Sequence, residues 1–365
     1  MARQGQELRR GWTTGACAAA ASRAAYAALL TGGFPDPVAI RLPGGRTPSF
    51  PLALAELGGD AARAGIVKDA GDDPDVTHGA LIVAECAWAP AGSGVVFAAG
   101  DGVGTVTRPG LQLAVGEPAI NPAPRAMIRA ALADLAEANG APPPDLRVTI
   151  SIPGGAALAE KTMNARLGIL GGLSVLGTTG IVVPYSCASW IHAIQRGIDV
   201  ARAAGLDHIA AATGTTSERA VQALYGLPDH ALIDMGDFVG GTLKYLRRRP
   251  IGRLTLAGGF AKMAKLAAGH LDLHSSRSRV DGAMFAELLA ELGAGTEIVS
   301  AAGASDSAGA VLDLAAPWAG ALAGRVARLA RAVALATLSG HTDVEVAIVD
   351  RAGVFLARVG GEGGR

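Results

Sequence analysis

From about Trp190 to Leu338, short apolar runs alternate with helix-forming segments, and this rhythm restricts the second half of the chain more than any other feature. Strand-like runs lie at His208–Ala212, Ala231–Asp234 and Arg253–Ala257, each bounded by turn residues and too short for a buried helix. Helical segments follow at Ser217–Tyr225, Asp237–Arg248 and Phe260–Ala268, and a long helix is expected over Pro317–Leu338. Strands joined through single helices return in the same direction, so the pattern predicts a doubly wound, mostly parallel sheet. A closing pair, Val344–Val349 and Val354–Val359, flanks the turn Asp350-Arg351-Ala352-Gly353 and reads as a hairpin.

Up to about residue 185 the texture differs. Strand-like runs at Val38–Leu42, Ala80–Ala84 and Arg147–Ile152 mix with proline–glycine turns, which is α+β character. A chain of 365 residues can bury two cores. The expected fold class is therefore α/β with α+β in two domains. These are an N-terminal α+β domain with glycine-rich substrate loops over 1–185 and a C-terminal Rossmann-like α/β domain over 186–365. Only 4% of residues are aromatic and 51 are glycine, which favours alanine helices and glycine turns over a bulky aromatic interior. The run Leu8-Arg9-Arg10-Gly11-Trp12-Thr13-Thr14-Gly15-Ala16-Cys17-Ala18 opens such a helix, with Thr13 or Thr14 as its cap and Thr31-Gly32-Gly33 as its stop. Two uses fit an alanine-faced helix. It packs closely in a core, or its first N–H groups receive an anion.

Met1–Glu7 contains no apolar signal region, and no stretch reaches the roughly 18 uncharged apolar residues of a membrane span. Three widely spaced cysteines, Cys17, Cys86 and Cys187, form neither a disulfide framework nor a zinc motif, so a cytoplasmic location is expected. Cys17 lies near a helix start, where a thiol pKa can fall, although a small core cysteine is the commoner case. The formal net charge is zero, yet Lys244–Val280 carries nine Lys and Arg against Asp272 alone. That segregation points to a partner rich in negative groups. Lys244–Arg249 also close a helix before Pro250, where cations complement the helix dipole. Tyr245 and Phe260 are the window's only aromatics and the whole chain is not basic, so neither nucleic acid nor a membrane is expected as partner. A homo-oligomer is left open.

The segment after the first parallel strand, Thr213-Gly214-Thr215-Thr216-Ser217-Glu218, has Thr215 and Glu218 at capping-box spacing. The next strand ends in Asp234-Met235-Gly236-Asp237, and Asp234 stands twenty residues beyond Gly214. An acid at that place binds a ribose diol, while the first turn and helix start receive the ligand's anionic part. Gly214, Thr215, Thr216, Asp234, Gly236 and Asp237 are the candidate cofactor residues. The full G-x-G-x-x-G fingerprint is absent, which favours S-adenosylmethionine over NAD. The competing reading has Asp234 and Asp237 cap the following helix.

Further glycine-rich polar segments lie at Gly100–Gly110, Gly116–Pro122, Glu160–Gly172, Leu176–Val182 and Ala267–Ser275. With these motifs in this order, the chain resembles the cobalt-precorrin-5B (C1)-methyltransferases of corrin-ring biosynthesis over roughly Leu8–Asp281. The resemblance implies methyl transfer from S-adenosylmethionine to C1 of cobalt-precorrin-5B, giving cobalt-precorrin-6A in the anaerobic branch. Cobalt enters only as part of the substrate. The tetrapyrrole's carboxylate arms suit Lys262, Lys265, His270, His274, Arg277 and Arg279 through charge-assisted hydrogen bonds. Thr13, Thr14, Gly15, Asn121, Thr162, Asn164, Thr178, Thr179, Lys262, Lys265, Ser275 and Arg277 are the candidate substrate-binding residues. His270, then His274, are the candidate proton-handling groups, because imidazole titrates near neutrality, and Asp101 joins them as a catalytic candidate. The two histidines have the i, i+4 spacing of metal ligands on a helix but no third ligand, so no protein-bound metal is expected. Two other functions fit the same sequence features, a non-catalytic tetrapyrrole-binding protein and an NAD-dependent oxidoreductase.

Overall fold

The computed structural model describes residues 8–360, so the reading of Met1–Glu7 lies outside the described residues. The chain divides into two compact units, Met1–Ser186 and Cys187–Arg365. It is a mixed α/β structure with several sheets.

The first unit opens with β1 (Gly11–Trp12) and α1 (Thr14–Thr31), followed by β2 (Val38–Ala39), β3 (Ser49–Phe50), β4 (Leu54–Leu57), β5 (Ala61–Val67), β6 (Leu81–Trp88) and β7 (Val95–Ala99). It continues through β8 (Thr105–Val106), α2 (Pro122–Ala138), β9 (Leu146–Ser151), α3 (Gly155–Ala159), β10 (Ile169–Leu170) and β11 (Ile181–Val182). Its main sheet has the order β4-β5-β6-β9-β7, antiparallel except for the parallel β7–β9 pair. One face, built from Ala62, Ala64, Ile66, Ile82, Ala84, Cys86, Val148 and Ile150, shares a single core with α1. Alanine makes that packing possible. Eight of the helix's alanines are at most 1% exposed, and α1 lies against β5, β6 and α2 at once, a closeness that longer side chains would prevent. Thr13 caps the helix, its hydroxyl accepting from Ala16 N at 3.2 Å, and Gly32 ends it in the left-handed region.

The second unit runs α4 (Cys187–Ala203), β12 (His208–Ala212), α5 (Thr215–Tyr225), β13 (Leu232–Asp234), α6 (Val239–Arg248), β14 (Arg253–Gly259) and α7 (Phe260–Ala267). Four helices follow, α8 (Gly282–Glu291), α9 (Thr296–Gly303), α10 (Ala308–Leu314) and α11 (Ala319–Leu338), before β15 (Asp343–Val349) and β16 (Phe355–Val359). The sheet order is β13-β12-β14-β15-β16, parallel through β15 and antiparallel at β16. Alternate side chains feed two cores. Ala210, Ala212, Ala257 and Ala347 face α5, while Ile209, Ala211, Leu254, Leu256, Val344, Val346 and Ile348 join the residues of α4, α6, α7 and α11. Small residues toward α5 and branched ones toward the thicker layer are what covering both faces of a parallel sheet requires.

Candidate active site

The strand order places the chain's reversal between β12 and β14, since β13 lies on one side of β12 and β14 on the other. Loops leaving the carboxyl ends of those strands diverge, and such sheets bind ligands there. After β12, Thr213 N continues the ladder to Ala257 O at 2.9 Å, and Gly214, Thr215 and Thr216 stand exposed. No atom beyond its chain neighbours lies within 4 Å of the place where a Gly214 Cβ would be, so the backbone is open to a ligand. The capping box is not formed. Gly214 is the N-cap, extended at φ 171°, and Thr215 is the first helical residue, so its hydroxyl sits one position too late to cap.

At the end of β13, Asp234 is half-buried and Gly236 takes φ +51°. The competing cap reading does not hold. Phe238 is the N-cap of α6 with no side-chain capping bond, and the Asp237 carboxylate is paired with Lys262 Nζ. Asp237 also holds the next loop through its carbonyl, which accepts from Leu273 N at 2.9 Å. The Leu273 carbonyl in turn accepts from Lys262 Nζ at 3.2 Å and Lys265 Nζ at 3.1 Å. Gly240 N reaches Leu271 O at 2.9 Å and adds another tie. The loop of residues 268–281 is therefore clamped to the start of α6 and to Lys262 and Lys265 of α7. Burial, then the charge of Lys262, pulls the Lys265 amine below the usual lysine range.

This loop carries His270, His274, Ser275 and Arg277, so the i, i+4 spacing of the two histidines is not realised on a helix. α7 ends at Ala267 and Gly269 turns the chain at φ +88°, so His270 and His274 are not stacked on one helix face. His270 is half-buried, whereas His274 and Ser275 are exposed. His274 Nδ1 lies 2.8 Å from Ser276 Oγ. Arg277 is exposed and paired with Asp272 at 2.9 Å. Much of the local positive charge is thus answered within the chain: Lys262 and Arg277 have carboxylate partners, and Lys265 is buried on a carbonyl.

In the first unit, the glycine-rich segments form one interlaced body. Gly104 N donates to Leu173 O at 2.8 Å, Leu173 N to Gly102 O at 2.9 Å, Ala119 N to Gly104 O at 2.8 Å and Asn121 N to Val175 O at 3.0 Å. Gly102, at φ +71°, is required there, since a Cβ would stand 1.9 Å from the Ile152 oxygen. At its surface lie Asp101, Thr178 and Thr179, all exposed, and half-buried Asn121, which begins α2 without using its side chain as a cap. Thr162 is half-buried, its hydroxyl donating to Ala159 O at 2.7 Å, and Asn164 is buried, its amide donating to Gly172 O at 3.2 Å.

The anion-receiving reading of the α1 start is overturned. Gly15 N donates to Leu176 O, Ala16 N to the Thr13 hydroxyl and Cys17 N to the Thr13 carbonyl, and Thr13, Thr14 and Gly15 are buried. They shape the loop of residues 176–180 from below. Burial pushes the Cys17 thiol up to about 12, so it is a core cysteine. Two residues escaped the sequence reading. Arg108, inside the Gly100–Gly110 run, has a buried Nη1 without a hydrogen-bond partner. Trp190 donates its indole N–H to the Asp234 carbonyl at 3.1 Å. The glycine-rich run pointed to the first; nothing in the local sequence pointed to the second.

Comparison with known proteins places this architecture. The CbiD family model matches residues 1–184, and a model of the CbiD C-terminal domain matches residues 272–360. The chain belongs to the CbiD family. A relative from Paramagnetospirillum magneticum, named cobalt-precorrin-5B C(1)-methyltransferase, is 60% identical over 349 residues, covering 95% of this chain and 97% of its own length. A protein of the same name from a Bradyrhizobium species is 60% identical over 353 residues, covering 96% of this chain and 93% of its own. A solved structure described as a cobalamin biosynthesis protein (cbiD) from Archaeoglobus fulgidus is 28% identical, covers 74% of this CbiD chain and 83% of its own, and superposes with a TM-score of 0.40. Among the described residues of this CbiD protein, no helix is long and apolar enough to cross a membrane.

Proposed function

We propose that this chain methylates cobalt-precorrin-5B at ring carbon C1 with S-adenosylmethionine as donor, giving cobalt-precorrin-6A in the anaerobic branch of cobalamin biosynthesis. The observation that carries this reading is the 60% identity, over 95% of the chain, to a relative bearing the name of that activity. The residues at the carboxyl end of the second unit's sheet fit the donor, and we read this unit as a doubly wound donor-binding domain. Gly214 offers open backbone beside the hydroxyls of Thr215 and Thr216, which suits a carboxylate or hydroxyl group. Asp234, at the strand end, suits a ribose diol, with Gly236 keeping the turn narrow and Asp237 anchoring it through Lys262.

When bound, S-adenosylmethionine supplies an electrophilic methyl group on a sulfonium centre. The chain's own part is orientation and exclusion of water. Alignment of reacting groups is worth about 7–11 kcal/mol of barrier, which suits a site of clamped loops without an acid–base dyad. Thr178, Thr179, Asn121 and Asp101 are exposed polar groups on an interlaced glycine-rich body, suited to hold a polar ring periphery. Thr13, Thr14, Gly15, Thr162 and Asn164 support those loops. His274, Ser275 and Arg277 present donors to carboxylate arms, while Lys262 and Lys265 fix the loop that carries them. His270, then His274, are the residues we assign to accepting a proton, with Asp101 as a further candidate. The reaction belongs to a reducing cytoplasm, in keeping with three cysteines that are all free.

The test is formation of S-adenosylhomocysteine by pure protein supplied with donor and cobalt-precorrin-5B. Stoichiometric formation that requires the corrinoid is expected. Corrinoid binding without any S-adenosylhomocysteine would replace the enzyme by a carrier.

A further inference from the structure

We propose that Trp190 is the adenine platform of the donor site, its exposed indole stacking on the purine of S-adenosylmethionine beside the turn at the end of β13. The inference rests on the donor-site reading above and assigns a residue that neither the sequence motifs nor the family comparison marks.

Three features of the ring carry it. The first is exposure: Trp190, 47% exposed, is the only exposed tryptophan, tyrosine or phenylalanine among the described residues of the second unit. An indole left that open leaves uncovered apolar area that burial would otherwise stabilise. The second is rigidity. Its Nε1–H donates to the Asp234 carbonyl at 3.1 Å, and the Phe238 ring stands beside it at 6.3 Å between centroids, tilted by 46°. The third is position. A Cβ on Gly236 would meet Cζ2, Cε2 and Nε1 of the indole at 3.3, 3.4 and 3.6 Å, so the ring lies directly against the Asp234-Met235-Gly236 turn. The same turn thus carries an acid suited to a ribose and a fixed aromatic surface suited to the base next to it. Purine stacking on an aromatic ring needs no particular hydrogen-bonding edge, and one free face is sufficient.

The experiment is calorimetric titration of S-adenosylhomocysteine into wild-type protein, Trp190→Phe and Trp190→Leu, with the intrinsic fluorescence followed in parallel and thermal unfolding used to check the fold. Trp190→Leu is expected to bind about tenfold or more weakly, and Trp190→Phe within about threefold of wild type, because phenylalanine keeps a stacking face. Quenching of indole emission by the ligand is expected in wild type and absent in Trp190→Phe. In turnover, the donor KM should rise in Trp190→Leu while the corrinoid KM and kcat hold. A folded Trp190→Leu that binds like wild type, or quenching that persists in Trp190→Phe, overturns the platform. Wild-type protein that binds no S-adenosylhomocysteine defeats the donor-site reading and the platform together.

Discussion

Replacing Glu345 by Gln should destabilise the second unit strongly while leaving its chemistry intact. Glu345 is 0% exposed in β15 and is gripped from three elements. Arg358 Nε and Nη2 reach it at 3.0 and 2.9 Å, Thr255 Oγ1 at 2.9 Å and Arg253 Nη2 at 3.4 Å, and the Tyr225 hydroxyl donates to it as well. Removing one partner of a buried pair costs about 3–5 kcal/mol. Arg253 and Arg358 retain 22% and 39% exposure, so water recovers part of the loss, and about 2–4 kcal/mol is the expected net. For a domain of this size each kcal/mol moves the midpoint by about 2–4 °C, so Glu345→Gln should unfold roughly 5–15 °C lower by circular dichroism.

The pH dependence supplies a second reading of the same variant. Burial raises the Glu345 pKa, but hydrogen bonds from Tyr225, Arg358 and Thr255 and the charge of Arg358 outweigh it and leave it below the usual value of 4.5. A depressed carboxylate contributes stability above its unfolded pKa and loses it as pH falls through the folded one. The gap between wild type and variant should therefore be full at neutral pH and shrink on acidification below 4.5. Glu345, Arg253 and His208 lie toward the amino ends of parallel strands, away from the carboxyl-end loops, so turnover well below the midpoint should be unchanged. A midpoint shift under about 2 °C at neutral pH, or a gap that widens in acid, would refute the reasoning.

Gly177→Ala should lower stability by more than about 1 kcal/mol, since Gly177 has φ +126° and a Cβ would stand 2.3 Å from the Thr13 side chain; denaturant titration reads this as an earlier midpoint. Under native conditions at pH 8 a thiol reagent should modify exposed Cys187 alone. Burial raises the thiols of Cys17 and Cys86 to about 12, and rapid labelling of all three would contradict their placement. His270→Ala should leave the fold intact and slow turnover by roughly 10²–10⁴-fold if the imidazole moves a proton, and wild-type kcat in that variant would remove it from the mechanism.

The parallel strands were readable because apolar runs such as His208–Ala212 stand between turn residues, and β12 has those bounds. Helix α2 was not. It opens Pro122-Ala-Pro124, which looks like a loop although proline is tolerated in a first helical turn. The short helices α8 to α10 were not placed either, although Phe285, Leu288, Leu289 and Leu292 of the α8 segment stand at the helical spacing i, i+3, i+4, i+7 behind the N-cap Asp281. Position along the strands was enough to put an acidic turn after β13 and an exposed helix start after β12. The i, i+4 spacing of His270 and His274 carries no helical geometry, because both lie beyond the end of α7, where Gly269 at φ +88° turns the chain. Tertiary pairing lies beyond local pattern altogether: Asp237 meets Lys262 across twenty-five residues, and Trp190 reaches Asp234 across forty-four.

The most direct test is mass spectrometry and NMR of cobalt-precorrin-5B after incubation with the pure protein and methyl-labelled S-adenosylmethionine, with the donor omitted as control. The account predicts a gain of a single labelled methyl, dependent on the donor and located at C1. An unchanged corrinoid, or a labelled methyl on another ring carbon, would contradict it.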